Sequence, residues 1–255
     1  MSDSLRKAVA ILDALRLSPN GNSARTLAGE TGIPRSTVQR LLQTLEETQL
    51  VAQDSQQLKY RLGPRTLVLG MAYKQGLDLG TVALPIMRKL RDETHETIGL
   101  SVAVGHERMF IEEVQSFREL RFASELGRMY PLWSGAPGRV LMLDLEDLEV
   151  DAALGDPTTA SDTVYARPSR EAFLERLADA RQDGHAKASD ETIDGIASVA
   201  VPVRDAGAHV VAALSLSGPS DRVTPLNEEG IVAALTTAAT ELSRSLGNAP
   251  GRVHR

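Results

Sequence analysis

Gly32-Ile33-Pro34-Arg35-Ser36-Thr37-Val38-Gln39-Arg40-Leu41-Leu42-Gln43-Thr44-Leu45 reads as a tight turn running into a helix with one apolar face and one face of hydrogen-bonding groups. Val38, Leu41, Leu42 and Leu45 fall at i, i+3, i+4 and i+7, the spacing that buries one stripe of a helix. On the other side stand Arg35, Ser36, Gln39, Arg40 and Gln43, crowded toward the N-terminal half. That is the half of a recognition helix that meets base edges and phosphates in a major groove. A solvated helix face has the same composition, so the neighbouring segments decide between the two.

Upstream, Leu5, Ala8, Val9, Leu12 and Leu15 repeat at helical spacing after Ser4, a suitable N-cap. Pro19, Asn20, Gly21 and Asn22 break that helix. Ser23 caps a second, short one carrying Ala24, Leu27 and Ala28, and Gly32 suits the left-handed position that closes it. Pro34 belongs in the first turn of the helix that follows, where its missing N–H costs nothing. Two helices joined by a glycine turn, the second polar on one side, form a helix-turn-helix. Downstream, 50–53 and 58–62 read as strands around a polar turn at 54–57, with Leu58, Tyr60 and Leu62 on one face and Lys59 with Arg61 on the other. This is a wing, basic where it would meet a phosphate backbone.

Charge supports the division. Residues 1–65 hold nine Lys or Arg against six Asp or Glu, a balance of +3 in a chain whose net charge is −6, which leaves −9 for the remainder. Attraction to phosphate is thereby confined to one segment and is salt-sensitive. Three charges are few, so a single copy is expected to bind DNA weakly.

Beyond the wing, 67–83 reads as a linker helix containing Gly70, Gly76 and Gly80, and 85–94 as another helix. A hairpin is expected over 97–104 and 108–114, a helix over 169–182, strands at 196–203 and 210–217, and a last helix over 225–246. Helices and strands mix without regular alternation, which points to an α+β domain around an antiparallel sheet. The domain reading is 1–65, a linker over 66–83, a second domain over 84–248 and a disordered tail over 249–255.

With no cysteine, disulfide frameworks, thiolate zinc sites, iron–sulfur clusters and cysteine nucleophiles are excluded. No apolar run approaches the ~18 residues of a membrane span, and the first 13 residues carry charges where a signal peptide has its apolar core, so no membrane association and a cytoplasmic location are expected. Asp92, Glu93, His95 and Glu96 cluster at a helix end without a second ligand group and read as charged surface, with no metal and no cofactor expected. No Gly-x-Ser-x-Gly elbow, His-Glu-x-x-His, Walker loop or Rossmann glycine pattern occurs, and the five histidines are scattered.

Taken in order along the chain, the segment 32–42, Tyr60-Arg61-Leu62-Gly63, 127–132, Ala136-Pro137-Gly138-Arg139, Glu191 with Gly195, 200–203 and Ser215-Leu216-Ser217-Gly218-Pro219 resemble the IclR family of bacterial transcriptional regulators. The resemblance implies a winged helix-turn-helix, a linker helix and a GAF-like effector-binding domain, an antiparallel sheet flanked by helices. It also implies dimers or tetramers on double-stranded operator DNA. DNA contacts are expected from Arg25, Arg35, Ser36, Thr37, Gln39, Arg40, Lys59 and Arg61. A small organic effector, an aromatic acid or a related compound, is expected among Tyr130, Leu132, Trp133, Gly135, Ala136, Asp190, Glu191, Ser198, Ser215 and Ser217.

The residues bear independently on part of this. Ser215 and Ser217 are two apart in a strand, so both hydroxyls share a face and can hold one carboxylate, or else line a solvent-facing side. Ala136 and Gly138 leave backbone N–H groups open to an anion at a helix start. Trp133 and Tyr130 offer an aromatic wall, although a lone Trp also serves as core. A regulator that represses or activates a catabolic operon is the reading favoured, against an enzyme using the C-terminal pocket or a winged-helix module that binds only proteins.

Overall fold

The computed structural model describes residues 3–18, 20–54, 58–76, 79–155, 167–223 and 228–248. Pro19, the centre of the expected wing turn, the first residues of the last helix and the expected tail at 249–255 lie outside them. The chain divides into two compact units, Met1–Leu77 and Asp78–Arg255.

In the first unit, α1 (Asp3–Arg16), α2 (Ala24–Thr31) and α3 (Arg35–Glu47) precede the hairpin β1 (Val51–Asp54) and β2 (Lys59–Leu62). Ser23 caps α2 by accepting the Thr26 N–H at 3.1 Å. Gly32 closes it at φ 67°, a left-handed conformation open to glycine at no steric cost. Val38, Leu41, Leu42 and Leu45 are buried against Ile11, Leu15, Leu27, Ile33 and Val51. Each such side chain contributes roughly 1.5–3 kcal/mol of apolar burial, which fixes α3 with its polar stripe outward. A bridge between Asn22 and Tyr60 ties the wing to the turn before α2. Tyr60 and Leu62 pack on the core, whereas Leu58 is exposed at φ 52°. Leu58 belongs to the turn, so the expected alternation starts one residue later, at Lys59.

The linker differs from expectation. Helix α4 (Pro64–Gly76) starts at the end of the wing, and α5 (Leu79–Thr94) starts six residues before Pro85. Pro85 marked a helix start in the sequence, but Leu79, Ala83, Met87 and Leu90 form one continuous buried stripe through it. Burial of that stripe outweighs the proline's lost hydrogen bond.

The second unit continues with β3 (Thr97–Val104), β4 (Glu107–Val114), β5 (Met129–Pro131), α6 (Gly135–Leu141), α7 (Asp147–Leu154), α8 (Arg170–Asp183), β6 (Ala186–Ser189), β7 (Ile196–Arg204), β8 (Val210–Pro219) and α9 (Glu228–Ser245). Its six strands lie in the order β5-β4-β3-β8-β7-β6, every pair antiparallel. Helices α5 and α9 pack together on the sheet, and α6 packs on it with Ala200 and Ala213 beneath, backed by α7 and α8. Helical cover on both faces explains why Thr97 through Val102 are buried without alternation.

Candidate functional site

The first unit presents α3 with Arg35, Ser36, Gln39, Arg40 and Gln43 exposed and Thr37 half-buried. No side chain caps the start of α3, because Pro34 occupies the N-cap position. Its first N–H groups and the positive end of its dipole therefore face outward beside Arg35, an arrangement suited to a phosphate. Toward the other end the stripe becomes acidic, with Glu46 and Glu47 exposed and Gln43 Nε2 donating to Glu47 at 3.4 Å. Arg25 is exposed on α2 and Lys59 half-buried on the wing. Arg61 is exposed but donates to Asp54 across the hairpin at 3.3 Å. A solvent-exposed pair of this kind is weak, so a phosphate can compete for the guanidinium.

In the second unit, a cavity of about 30 Å³ lies where β4, β5, β7 and β8 meet the start of α6 and the 190–195 connection. Tyr130, Gly135, Glu191, Ser198 and Ser217 line it. Register explains the last two: Ser198 and Ser217 are directly paired across β7 and β8.

Five expected residues do not line it. Leu132, Trp133 and Ala136 are buried in the cluster beneath α6, and Trp133 is 6% exposed there. Ser215 shares the face of Ser217, as its spacing required, but lies deeper and donates its hydroxyl to the Gly99 carbonyl at 3.3 Å. Asp190 is also occupied: its carboxylate accepts the Gly195 N–H at 2.7 Å and the Ser189 hydroxyl at 3.0 Å, which closes the 190–195 turn.

Glu191 joins three elements. One oxygen accepts from Arg139 Nη1 at 2.7 Å and from the Gly135 N–H at 3.3 Å, and the other from Arg176 Nη1 at 3.3 Å. Arg139, on α6, is almost wholly buried and also donates to the Lys187 carbonyl. The Ser134 and Thr192 hydroxyls meet at 3.0 Å beside this junction.

The remaining lining residues include Arg108, Phe110, Phe122 and Ile196. Phe110 stands edge-on to Tyr130 with centroids 5.9 Å apart and tilts on Phe122 at 6.2 Å, forming an aromatic wall. Arg108 is 2% exposed; its Nε and Nη2 donate to the Ser134 carbonyl at 3.3 and 3.2 Å. Its guanidinium carbon lies 4.8 Å from the Tyr130 ring centre and 5.2 Å from that of Phe110. Burial pulls its pKa down to about 10, partly opposed by Tyr130. The available signal in the sequence was parity: Arg108 stands two residues before Phe110 and so occupies the same strand face, which a purely apolar inner row would not allow.

In the cluster at 92–96, Asp92, Glu93 and His95 are exposed as the surface reading requires, and Glu96 alone departs from it. Glu96 is buried and takes two hydrogen bonds from Arg222, at 2.5 and 2.9 Å, so it is half of an ion pair under β8 instead of open surface.

A winged helix-turn-helix followed by a sheet domain with a small, largely apolar cavity holding a few polar groups defines a ligand-responsive, DNA-binding transcriptional regulator. Residues 4–55 match the IclR helix-turn-helix domain, and residues 71–244 match the bacterial transcriptional regulator IclR C-terminal domain. The chain belongs to the IclR family. It is 36% identical over 213 residues to the regulator KdgR of Dickeya chrysanthemi, covering 84% of this chain and 70% of that one. With TtgV of Pseudomonas putida it shares 32% identity over 248 residues, covering 96% and 92%. Among solved structures, an IclR regulator from Silicibacter sp. superposes with a TM-score of 0.86 at 26% identity over 96% of this chain and 97% of that one. An IclR homologue from Microbacterium hydrocarbonoxydans, solved with 4-hydroxybenzoate, has the same fold at a TM-score of 0.79 and 23% identity, covering 96% and 99%. Among the described residues no helix is long and apolar enough to cross a membrane.

Proposed function

We propose that this regulator governs a catabolic operon from the cytoplasm, as a homodimer or a tetramer of the chain, and that a small organic acid in the cavity beside α6 sets its affinity for the operator. The observation that carries the reading is the exposed polar stripe of α3 above its buried apolar stripe. In this reading Arg35, Ser36, Thr37, Gln39 and Arg40 reach base edges, while Arg25, Lys59 and Arg61 hold phosphates. Self-association is supported by α4, whose Leu67, Val68, Leu69 and Met71 are all exposed. Consecutive apolar side chains around a helix are a surface that a partner covers.

The cavity supports binding in preference to turnover. Its carboxylate, Glu191, is held by three donors, and no histidine is among the described lining residues. A nucleophile with an adjacent base is therefore missing from the described lining. The aromatic wall of Phe110, Phe122 and Tyr130 favours an effector that carries a ring.

Fluorescence anisotropy with palindromic DNA fragments drawn from the gene's own upstream region tests the DNA reading. Arg40→Ala is expected to weaken binding by about 1–3 kcal/mol, roughly ten- to a hundredfold, with effector affinity intact. Equal operator affinity in the two proteins removes Arg40 from the interface.

A further inference from the structure

We propose that Arg108 is the anchor for the effector's carboxylate, so that the cavity selects small monocarboxylates over the corresponding neutral amides; this rests on the reading of the cavity as the effector site.

Among the described residues no acid pairs with this buried arginine. Its hydrogen-bond acceptor is a neutral carbonyl, that of Ser134, reached by Nε and Nη2 from one edge of the guanidinium. Nη1 is buried with no hydrogen-bond partner among the described residues. The edge formed by Nη1 and the second proton of Nη2 is the one a carboxylate grips with both oxygens. A buried donor left unsatisfied is costly, and a buried unpaired cation more so. Structural arginines in this domain are treated otherwise: Arg139 meets Glu191 and Arg222 meets Glu96. Arg108 lines a cavity in place of having a carboxylate.

The charges around it favour an anion. Glu191, the carboxylate in the described lining, is already paired with Arg139 and Arg176, so its charge is offset from outside the cavity. A pKa of about 10 leaves Arg108 charged at neutral pH. The rings of Phe110 and Tyr130 over its plane stabilise that charge without neutralising it.

Size adds a condition. A cavity of about 30 Å³ accommodates water, whereas a dry cavity that binds benzene measures on the order of 150 Å³. An aromatic acid therefore enters only as lining side chains move. Ile193, the exposed member of the lining on the 190–195 turn, is placed to do so.

The test uses the full chain, with benzoate, phenylacetate and pyruvate each set against its amide in thermal-shift and calorimetric titrations. At least one acid is expected to bind tenfold or more tightly than its amide. Arg108→Met should lose that preference while melting at or above the wild-type temperature, because it removes an unpaired buried charge. Arg108→Lys keeps the charge without the fork and should bind the acid several-fold more weakly. This second variant decides the matter if the methionine protein does not fold: wild-type affinity in Arg108→Lys overturns the proposal. No binding of any acid, equal binding of acid and amide, or an acid preference surviving in Arg108→Met also overturns it. Ser198→Phe, which fills the cavity, separates the two levels. Acid and amide binding equally, both lost in Ser198→Phe, removes the role of Arg108 alone. Binding untouched by Ser198→Phe removes the effector site from this cavity.

Discussion

Gly99 on β3 lies under the aromatic wall of the cavity. A Cβ there would stand 2.6 Å from the Phe110 ring and 3.3 Å from the Ser215 hydroxyl, so the ring lies against bare backbone. Gly99→Ala is expected to force Phe110 out of place and cost roughly 1–3 kcal/mol, the range for an overpacked site, read as a lowered urea midpoint of the second unit. Legibility at this scale followed how local the signal was. Ser217, read from strand parity, and Ser198 and Glu191, implied by the family resemblance, all line the cavity. Trp133 was misplaced because an aromatic residue next to a helix start carries no sign of which side it packs on, and here it packs beneath α6. Arg108 was overlooked because a cation in a strand reads as solvent-facing until its neighbours' parity is counted. The stripe of α3 was legible in full, since helical periodicity alone separates its buried and exposed positions.

Among elements, the junction at Glu191 carries the most. It links the start of α6, the buried Arg139 and, through Arg176, helix α8 to the 190–195 turn. Glu191→Ala leaves Arg139 buried without its acid and is expected to cost about 3 kcal/mol, the low end for a broken buried pair because Glu191 retains some solvent contact. Differential scanning calorimetry reads the loss; a melting temperature equal to wild type would show that Arg139 finds another acceptor. Helix α4 gives a separate prediction. Leu67→Lys combined with Met71→Lys should shift sedimentation toward the monomer while circular dichroism stays unchanged, since both side chains are exposed in the single chain. Long elements with a clean period, α1, α3, β3, β4, β7 and β8, were legible from the sequence. The strands β5 and β6, of three and four residues, were not: so few positions establish alternation only where a polar turn frames a hairpin, as it does for β1 and β2. Helix α6 was reached only through the family resemblance, as its seven residues are all buried and show no amphipathic rhythm.

For the whole molecule, a balance of +3 in the first 65 residues against −9 in the rest makes DNA binding both salt-dependent and oriented. Operator affinity is expected to fall linearly with the logarithm of salt, with a slope of about −0.9 per phosphate contacted. A dimer bound through both winged helices should show about twice the slope of a variant held monomeric, measured by anisotropy across a salt series. Equal slopes would mean that one copy makes all the contacts. An effector shifts this equilibrium only through unequal affinity for the free and the DNA-bound arrangements, so saturating acid should move the operator Kd without altering its salt slope. The order of the sheet bears on how copies meet. It ends on one side in the three residues Met129–Pro131 and on the other in the four residues Ala186–Ser189, with Pro131 at one rim and the exposed Lys187 at the other. Stubs bearing a proline and a lysine are poor templates for strand addition. The sheet is thus closed to growth by edge pairing, so the self-association proposed above would run through side-chain surfaces such as that of α4 and would not polymerise the protein through its own core.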